Sequence, residues 1–324
     1  MSDLSSVKRI VEDTQKALLI SHIAPDGDTL GATLGLAWAL RKRGIEARLS
    51  CADPVPDNLT FLPGSDGYAS RRRTDEDTIF VIDVSDLERI GDIYDPAAFA
   101  AVPVVNIDHH VTNKMYGDVN FVEDRTSTAE LILDILSFLQ IPLDETMAIC
   151  LLTGVVTDTR GFRTNNTSGD SLRAAVTLVE AGAPLNKITD AAFSHHPRSV
   201  IEMWGHGLSR YRFSEGIMWC AIPKNILQRV EPQARSSRGL INFLSDLDGV
   251  KVAIVFRELE EGTVDVSFRS VPAVDVSRVA TKFGGGGHPQ AAGCLLEGTL
   301  EETEERIVSS VKALMEKQPA DQVR

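Results

Sequence analysis

Val104-Val105-Asn106-Ile107-Asp108-His109-His110 is the stretch on which the reading of this chain turns. Its largely apolar, β-branched start reads as a buried strand. The strand ends abruptly in one carboxylate and two imidazoles. In an open α/β sheet, ligands bind beyond the carboxyl ends of the strands. This strand therefore delivers metal-binding or acid–base groups to the place where such a fold keeps its site. Taken alone, Asp108-His109-His110 fits a solvated polar loop or a satisfied His pair equally well. Three other strand ends carrying the same kind of group decide between the readings.

Working outward, residues 78–84 read as another buried strand, with Asp83 near its carboxyl end. Residues 17–23 form an earlier one that holds His22 and runs into Ala24-Pro25-Asp26-Gly27-Asp28, a tight loop marked by Pro25 and Gly27. An apolar-periodic helix follows over 29–43, closed by Gly44, and 46–51 is a further strand. Residues 127–139 predict a helix capped by Ser127 or Thr128, with Glu130 in its first turn. A helix over 144–157 runs into Asp158, and one over 168–181 stops at Gly182 and Pro184. Strands alternating with helices predict a doubly wound, mostly parallel sheet.

The pattern weakens over 189–216, read as a helical connector that includes His195 and His196 in a surface or capping role. Beyond it come strands at 217–222, 250–257, 263–269 and 294–296, and helices at 239–247, 274–283 and 301–317. Gly284-Gly285-Gly286-Gly287-His288 reads as a sharp loop, and residues 318–324 as a frayed end. The expected organisation is an α/β domain over 1–188, the connector, and a smaller α+β domain over 217–324, with the active site in the interdomain cleft.

The 324 residues suffice for two cores, and 43% hydrophobic content is that of a globular protein. No apolar run is long enough to span a bilayer, and the start lacks the pattern of a signal peptide. Cys51, Cys150, Cys220 and Cys294 are scattered without a CxxC pair, which suits a reducing cytoplasm. The net charge of −13 argues against a grip on long duplex nucleic acid.

Four carboxylates (Asp26, Asp28, Asp83 and Asp158) converging with His22, His109 and His110 would repel one another and resist ionisation. A pair of divalent cations resolves this. The mixed carboxylate and imidazole set suits Mn²⁺, and less specifically Mg²⁺, Fe²⁺ or Zn²⁺. Two such cations can activate water and clamp a phosphoryl oxygen. Four consecutive glycines let a backbone approach a ligand and turn N–H groups toward a phosphate, and His288 stands beside them.

His22-x-x-x-Asp26-x-Asp28, Asp83, Asp108-His109-His110 and Asp158, in this order, resemble the four motifs of the DHH phosphoesterase superfamily. Residues 284–293, GGGGHPQAAG, are similar to the signature of the associated DHHA1 domain. The resemblance covers nearly the whole chain. It implies that His22, Asp26 and Asp83 hold one cation, and that Asp28, Asp83, His109 and Asp158 hold the other, with Asp83 bridging. Asp108 would support an imidazole, and His110 would meet the scissile phosphate or the leaving oxygen. Arg269 and Ser270, at the end of a strand, would join Gly284 to Gly287 and His288 in gripping substrate, with Arg257 as the alternative anchor. Within the superfamily the chain resembles the compact nanoRNase and 3′-phosphoadenosine-5′-phosphate (pAp) phosphatase group. Expected partners are short oligonucleotides and nucleotide 3′,5′-bisphosphates, with no membrane, and a homodimer is left open. The rivals are a RecJ-like single-strand exonuclease, a cyclic-dinucleotide phosphodiesterase, and a nucleotide-binding module without catalysis. The intact set of acids speaks against the last.

Overall fold

In a computed structural model the chain divides into two units, Met1–His195 and His196–Arg324. The structure describes residues 4–193, 198–231, 235, 237–260 and 262–316. His195, His196 and residues 318–324 lie outside the described residues, so the readings made for them are not taken further.

Among the described residues the first unit holds six strands: β1 (Lys16–Ile20), β2 (Glu46–Ser50), β3 (Tyr68–Ala69), β4 (Thr78–Ile82), β5 (Val104–Asp108) and β6 (Val119–Val122). All neighbours pair in parallel, in the order β3-β2-β1-β4-β5-β6. The order reverses between β1 and β4, and in such sheets the reversal opens a crevice at the carboxyl ends of those two strands. Its helices are α1 (Leu4–Asp13), α2 (Gly27–Lys42), α3 (Pro96–Ala100), α4 (Thr128–Phe138), α5 (Glu145–Asp158), α6 (Gly169–Glu180) and α7 (Leu185–Phe193).

The central strands are buried on both faces, as parallel strands require. Leu19, Phe80, Ile82, Val105 and Ile107 face a large core shared with α2, α4 and α5. Leu18, Ile20, Ile79, Val81 and Val104 face a smaller one, closed by Val84, Ile90, Ile93 and the partly buried Phe99 of α3. Each fully buried side chain of this size contributes about 1.5–3 kcal/mol.

Helices α2 and α5 meet along a seam of small residues. A Cβ at Gly31 would lie 2.4 Å from the carbonyl oxygen of Cys150, and one at Gly154 would lie 2.6 Å from Asp28 Oδ1. Gly27 meets Thr157, while Gly35 meets Leu151, so the helices run in opposite directions. This seam sets the start of α2, with Asp26 and Asp28, against the end of α5, with Asp158. Residues 130 apart in sequence thus become neighbours because glycine lets two backbones touch.

The second unit contains α8 (Val200–Ser209), β7 (Arg212–Ser214), β8 (Ile217–Ile222), α9 (Lys224–Leu227), α10 (Arg238–Ser245), β9 (Val252–Glu260), β10 (Thr263–Ser270), α11 (Ser277–Lys282), β11 (Gly286–His288), β12 (Ala291–Glu297) and α12 (Leu300–Glu316). Its sheet order is β11-β12-β10-β9-β8-β7. Only β8 and β9 pair in parallel among the described residues; the other pairs are antiparallel. One face packs on α11 and α12, the other on α8 and α10.

Several sequence expectations are corrected. Within the span read as the connector, the structure places the end of α7, α8 and β7. Ile188 of α7 is buried in the first unit's core, while Val200 and Met203 of α8 are buried in the second unit's. The helix expected over 274–283 shrinks to α11, because Val274 and Val276 are buried ahead of it and mimic helical spacing. The glycine stretch is not all loop: Gly286 to His288 form β11 against β12. Strands β3 and β6 escaped notice because they are short edge strands with little apolar signal.

All four cysteines are free and buried. Cys51 Sγ donates to the His22 carbonyl at 3.2 Å. Burial pushes the thiols up, Cys51 to about 11 and Cys220 and Cys294 to about 12. Among the described residues, no helix is long and apolar enough to cross a membrane.

Candidate active site

The two strands at the order reversal each end in a site residue. His22 follows β1 and Asp83 follows β4. Asp83 has φ +61°, a left-handed conformation that Asp tolerates better than most residues and that tends to cluster at functional sites. Strand β5 ends at Asp108, which puts His109 and His110 in the next two positions. Asp26 caps α2, accepting from the backbone N–H groups of Asp28 and Thr29. Asp158 is the last residue of α5.

The ligand atoms form overlapping groups. His22 Nε2 lies 3.5 Å from Asp83 Oδ2 and 3.8 Å from Asp26 Oδ1. His109 Nε2 lies 3.3 Å from Asp158 Oδ2, 3.6 Å from Asp83 Oδ1 and 4.0 Å from Asp28 Oδ2. Asp83 thus turns one oxygen toward each group. Donors around one octahedral cation, bonded at about 2.1 Å, stand about 3 Å apart, so these spacings suit two cations that share Asp83. Within each of the sets His22–Asp26–Asp83 and Asp28–His109–Asp158, the ligand atoms lie within 4.8 Å of one another. Hard carboxylates with imidazoles fit divalent cations of the Mn²⁺ or Mg²⁺ kind.

The imidazoles are oriented before any cation binds. His22 Nδ1 is 2.7 Å from the Ile23 carbonyl and His109 Nδ1 is 3.0 Å from that of Arg125. Those carbonyls can only accept, so each ring donates from Nδ1 and turns Nε2 to the acids. His110 is held differently: its Nδ1 is 2.6 Å from Asp108 Oδ1. Asp108 therefore holds His110 through Nδ1.

Two groups that the sequence reading did not select complete the arrangement. The first turn of α4 grips both central acids. The backbone N–H groups of Thr128 and Ala129 donate to Asp28 at 2.7 and 3.0 Å, and the Thr128 hydroxyl donates to Asp83 Oδ1 at 3.0 Å. A helix N-terminus favours negative charge. Ser127 caps this helix by accepting from the Glu130 N–H. The cap was legible in sequence, but not what the helix points at. The second group is Asn113, which donates to Asp108 Oδ2 at 2.5 Å.

Without a cation the site is electrostatically strained. Burial pushes the Asp28 carboxyl well above the usual range, and Asp83 and Asp158 push it further. Burial also raises Asp158, to about 7, against the pull of His109. Burial by itself would lower His109, but Asp158, Asp83 and Asp28 outweigh it and raise the imidazole to about 10. Burial favours a raised Asp83 too, yet a hydrogen bond from His22 and the charges of His110 and His109 hold it below the carboxylate range. A cation at the Asp28–His109–Asp158 group must therefore displace the His109 proton at pH 7, together with any proton held by the raised Asp28 and Asp158 carboxyls. Binding is expected to release at least one proton and to tighten as pH rises from about 6 toward 9. Calorimetric titration with Mn²⁺ in buffers of different ionisation enthalpy measures this; binding without proton release would contradict it.

In the second unit the expected substrate-gripping residues share one end of the sheet. Arg269 of β10 pairs with Ala291 of β12, and Ala291 pairs with His288 of β11. Residues in one row across antiparallel strands point to the same face. Arg269 Nε donates to Asn242 Oδ1 at 3.2 Å and Nη1 to the Phe268 carbonyl. Arg257, the alternative anchor, is locked by Asp265 and the Arg235 carbonyl, a structural role. The Ser270 hydroxyl donates to the Val274 carbonyl at 2.5 Å and shapes the following turn. At Gly285 and Gly287 a Cβ would strike β12, and Gly287 has φ +137°. A Cβ at Gly284 or Gly286 would meet nothing within 4 Å, so those two leave their backbone open on one side.

Residues 16–155 match the family model of the DHH family, N-terminal domain, and residues 225–317 match that of the DHHA1 domain. A curated relative from Thermus thermophilus is 33% identical over 319 residues, covering 94% of this chain and 93% of its own length. The chain is a DHH/DHHA1 phosphoesterase. That Thermus relative is named bifunctional oligoribonuclease and PAP phosphatase NrnA, as is one from Bacillus subtilis at 26% identity, covering 92% of this chain and 94% of its own. A solved structure titled an exopolyphosphatase-related protein from Bacteroides fragilis shares the fold, with a TM-score of 0.86 at 23% identity over 96% of this chain and 97% of that one. DHH phosphoesterases depend on divalent metal, and the DHH motif here is the β5 end from which His109 and His110 reach the acids.

Proposed function

We propose that this DHH/DHHA1 enzyme hydrolyses short oligoribonucleotides to mononucleotides and pAp to AMP, with Mn²⁺ as the cation. The observation that carries the reading is the cluster of acids, Asp28 and Asp83 buried and Asp26 and Asp158 partly so, with pre-oriented imidazoles, on a chain that matches relatives named for those two activities over nearly its full length. His22, Asp26 and Asp83 would hold one cation; Asp28, Asp83, His109 and Asp158 would hold the other. Cations held there would supply a water of lowered pKa and neutralise charge on the phosphoryl group. His110, steered by Asp108, gives its Nε2 proton to the departing oxygen as the P–O bond breaks. The backbone N–H groups of α4 keep Asp28 in place throughout.

The DHHA1 unit contributes grip, not chemistry. Arg269 and His288 in their shared row, and the open backbone at Gly284 and Gly286, suit a terminal phosphate or nucleotide end. A clamp that grips one nucleotide end favours short substrates. Purified protein with Mn²⁺ is expected to release phosphate from pAp and to reduce pApA and oligoribonucleotides of up to about five residues to mononucleotides. Failure on both classes, with cations bound, would overturn the reading. Arg269→Ala is expected to raise KM for these substrates about 10- to 150-fold, the loss of one charge-assisted hydrogen bond, about 1.5–3 kcal/mol. It should leave metal content and hydrolysis of bis-p-nitrophenyl phosphate nearly unchanged. Equal losses on both substrates would place Arg269 in the chemistry or the fold.

A further inference from the structure

Asp108 is fully buried, and its two oxygens have different partners. Oδ1 accepts from His110, at 2.6 Å from Nδ1 and 3.3 Å from the backbone N–H. Oδ2 accepts from Asn113 Nδ2 at 2.5 Å. Asn113 is itself held by every polar atom of its amide. Its Nδ2 also donates to the Val84 carbonyl at 3.2 Å, and its Oδ1 accepts from Asn106 Nδ2 at 2.8 Å and from the Met115 N–H at 2.7 Å. Flipping this amide would set donor against donor and acceptor against acceptor, so the network itself assigns its orientation. Val84 directly follows Asp83, so one side chain ties the end of β4 to the groups at the end of β5.

We propose that Asn113 is a positioning residue for the proton-donating pair Asp108–His110. The inference rests on the general-acid role given above to His110. A carboxylate free to rotate about its χ2 would let the imidazole turn with it. Asn113 fixes the carboxylate plane, the carboxylate fixes Nδ1, and Nε2 is thereby aimed at the leaving oxygen. Groups that orient a working imidazole from one bond further out commonly affect function about 10- to 100-fold. Asn113 touches neither substrate nor cation on this reading, so its loss should appear in the chemical step and not in binding.

Asn113→Asp is the sharp variant. It keeps the shape and the acceptor toward Asn106 and Met115, but replaces the donor facing Asp108 and the Val84 carbonyl with an oxygen, which restores a donor only while it holds a proton, so the variant is read across a pH series. Asn113→Ala, which removes every bond, is its companion, and both are checked by thermal melting and by metal content. With a dinucleotide, whose leaving alkoxide needs a proton, kcat is expected to fall about 10- to 100-fold at unchanged KM. With bis-p-nitrophenyl phosphate, whose nitrophenolate leaves without one, kcat should fall less than about threefold. This is opposite in KM and kcat to the loss expected of Arg269→Ala. In the Mg²⁺-loaded enzyme the downfield His110 Nδ1–H resonance, assigned by its absence in His110→Gln, should broaden or vanish in Asn113→Asp. Equal losses on both substrates, no loss on either, or an unaltered resonance would overturn the proposal. If His110→Gln itself fails to discriminate between the substrates, the general-acid reading falls as well. If His110→Gln discriminates and Asn113→Asp does not, only the positioning role falls.

Discussion

Asp83→Asn is expected to reduce hydrolysis by at least about a thousandfold, equivalent to about 4 kcal/mol of transition-state stabilisation. Both carboxylate oxygens are committed: Oδ2 faces His22 Nε2, while Oδ1 faces His109 Nε2 and His110 Nδ1 and accepts the Thr128 hydroxyl. A carboxamide keeps the shape but offers an N–H₂ group on one side, which cannot ligate a cation. Asn is the right substitution because it tolerates the left-handed backbone at φ +61°. Alanine would add strain of about 1 kcal/mol or more, and a loss of fold would then be confounded with a loss of chemistry. The measurements are Mn²⁺ stoichiometry, turnover, and a melt in chelator to show an intact fold. A folded Asp83→Asn protein with substantial Mn²⁺-dependent turnover would sink the bridging assignment.

The second large effect is expected from Gly154→Ala, a change that ordinarily stabilises a helix interior by up to about 1 kcal/mol. Here its sign reverses. The new methyl would stand 2.6 Å from both Asp28 Oδ1 and the Cβ of Ala129. Neither neighbour has freedom to retreat, since Asp28 is fully buried and held by two N–H groups of α4. Overpacking of this kind costs about 1–3 kcal/mol. The helices must part, and Asp28 moves away from His109 and Asp158 as they do. A lowered melting temperature in chelator together with weakened Mn²⁺ binding is the expected result. An unchanged melting temperature with full metal content would show that the seam is softer than its contacts indicate.

How far sequence alone reaches can be judged from these residues. The first unit's central strands were legible because burial on both faces writes a continuous apolar run, and the acids at their ends broke those runs visibly. His22, Asp83 and His109 could therefore be placed at strand ends before any coordinates. What remained hidden depends on contacts remote in sequence. Thr128 and Asn113 have ordinary local places, the first turn of a helix and a loop turn, and nothing in their neighbours says which carboxylates they hold. Gly31 and Gly154 look like mild blemishes in helical patterns until α2 and α5 are seen to touch. Edge strands β3 and β6 carry too few buried side chains to leave a period. The stretch at Gly286 to His288 reads as loop because glycine erases strand propensity, although its neighbours still hold it in register.

The buried cysteines have a practical consequence. Thiol reagents attack the thiolate, and a thiol that is both enclosed and shifted to about 11 or 12 offers almost none of it near pH 7. The native chain is thus already a silent background for maleimide chemistry. A cysteine introduced at exposed Lys8 in one unit and another at exposed Glu305 in the other would take a donor and an acceptor dye without first stripping the natural thiols. Energy transfer between them would follow, molecule by molecule, whether the distance between the units changes when a dinucleotide arrives.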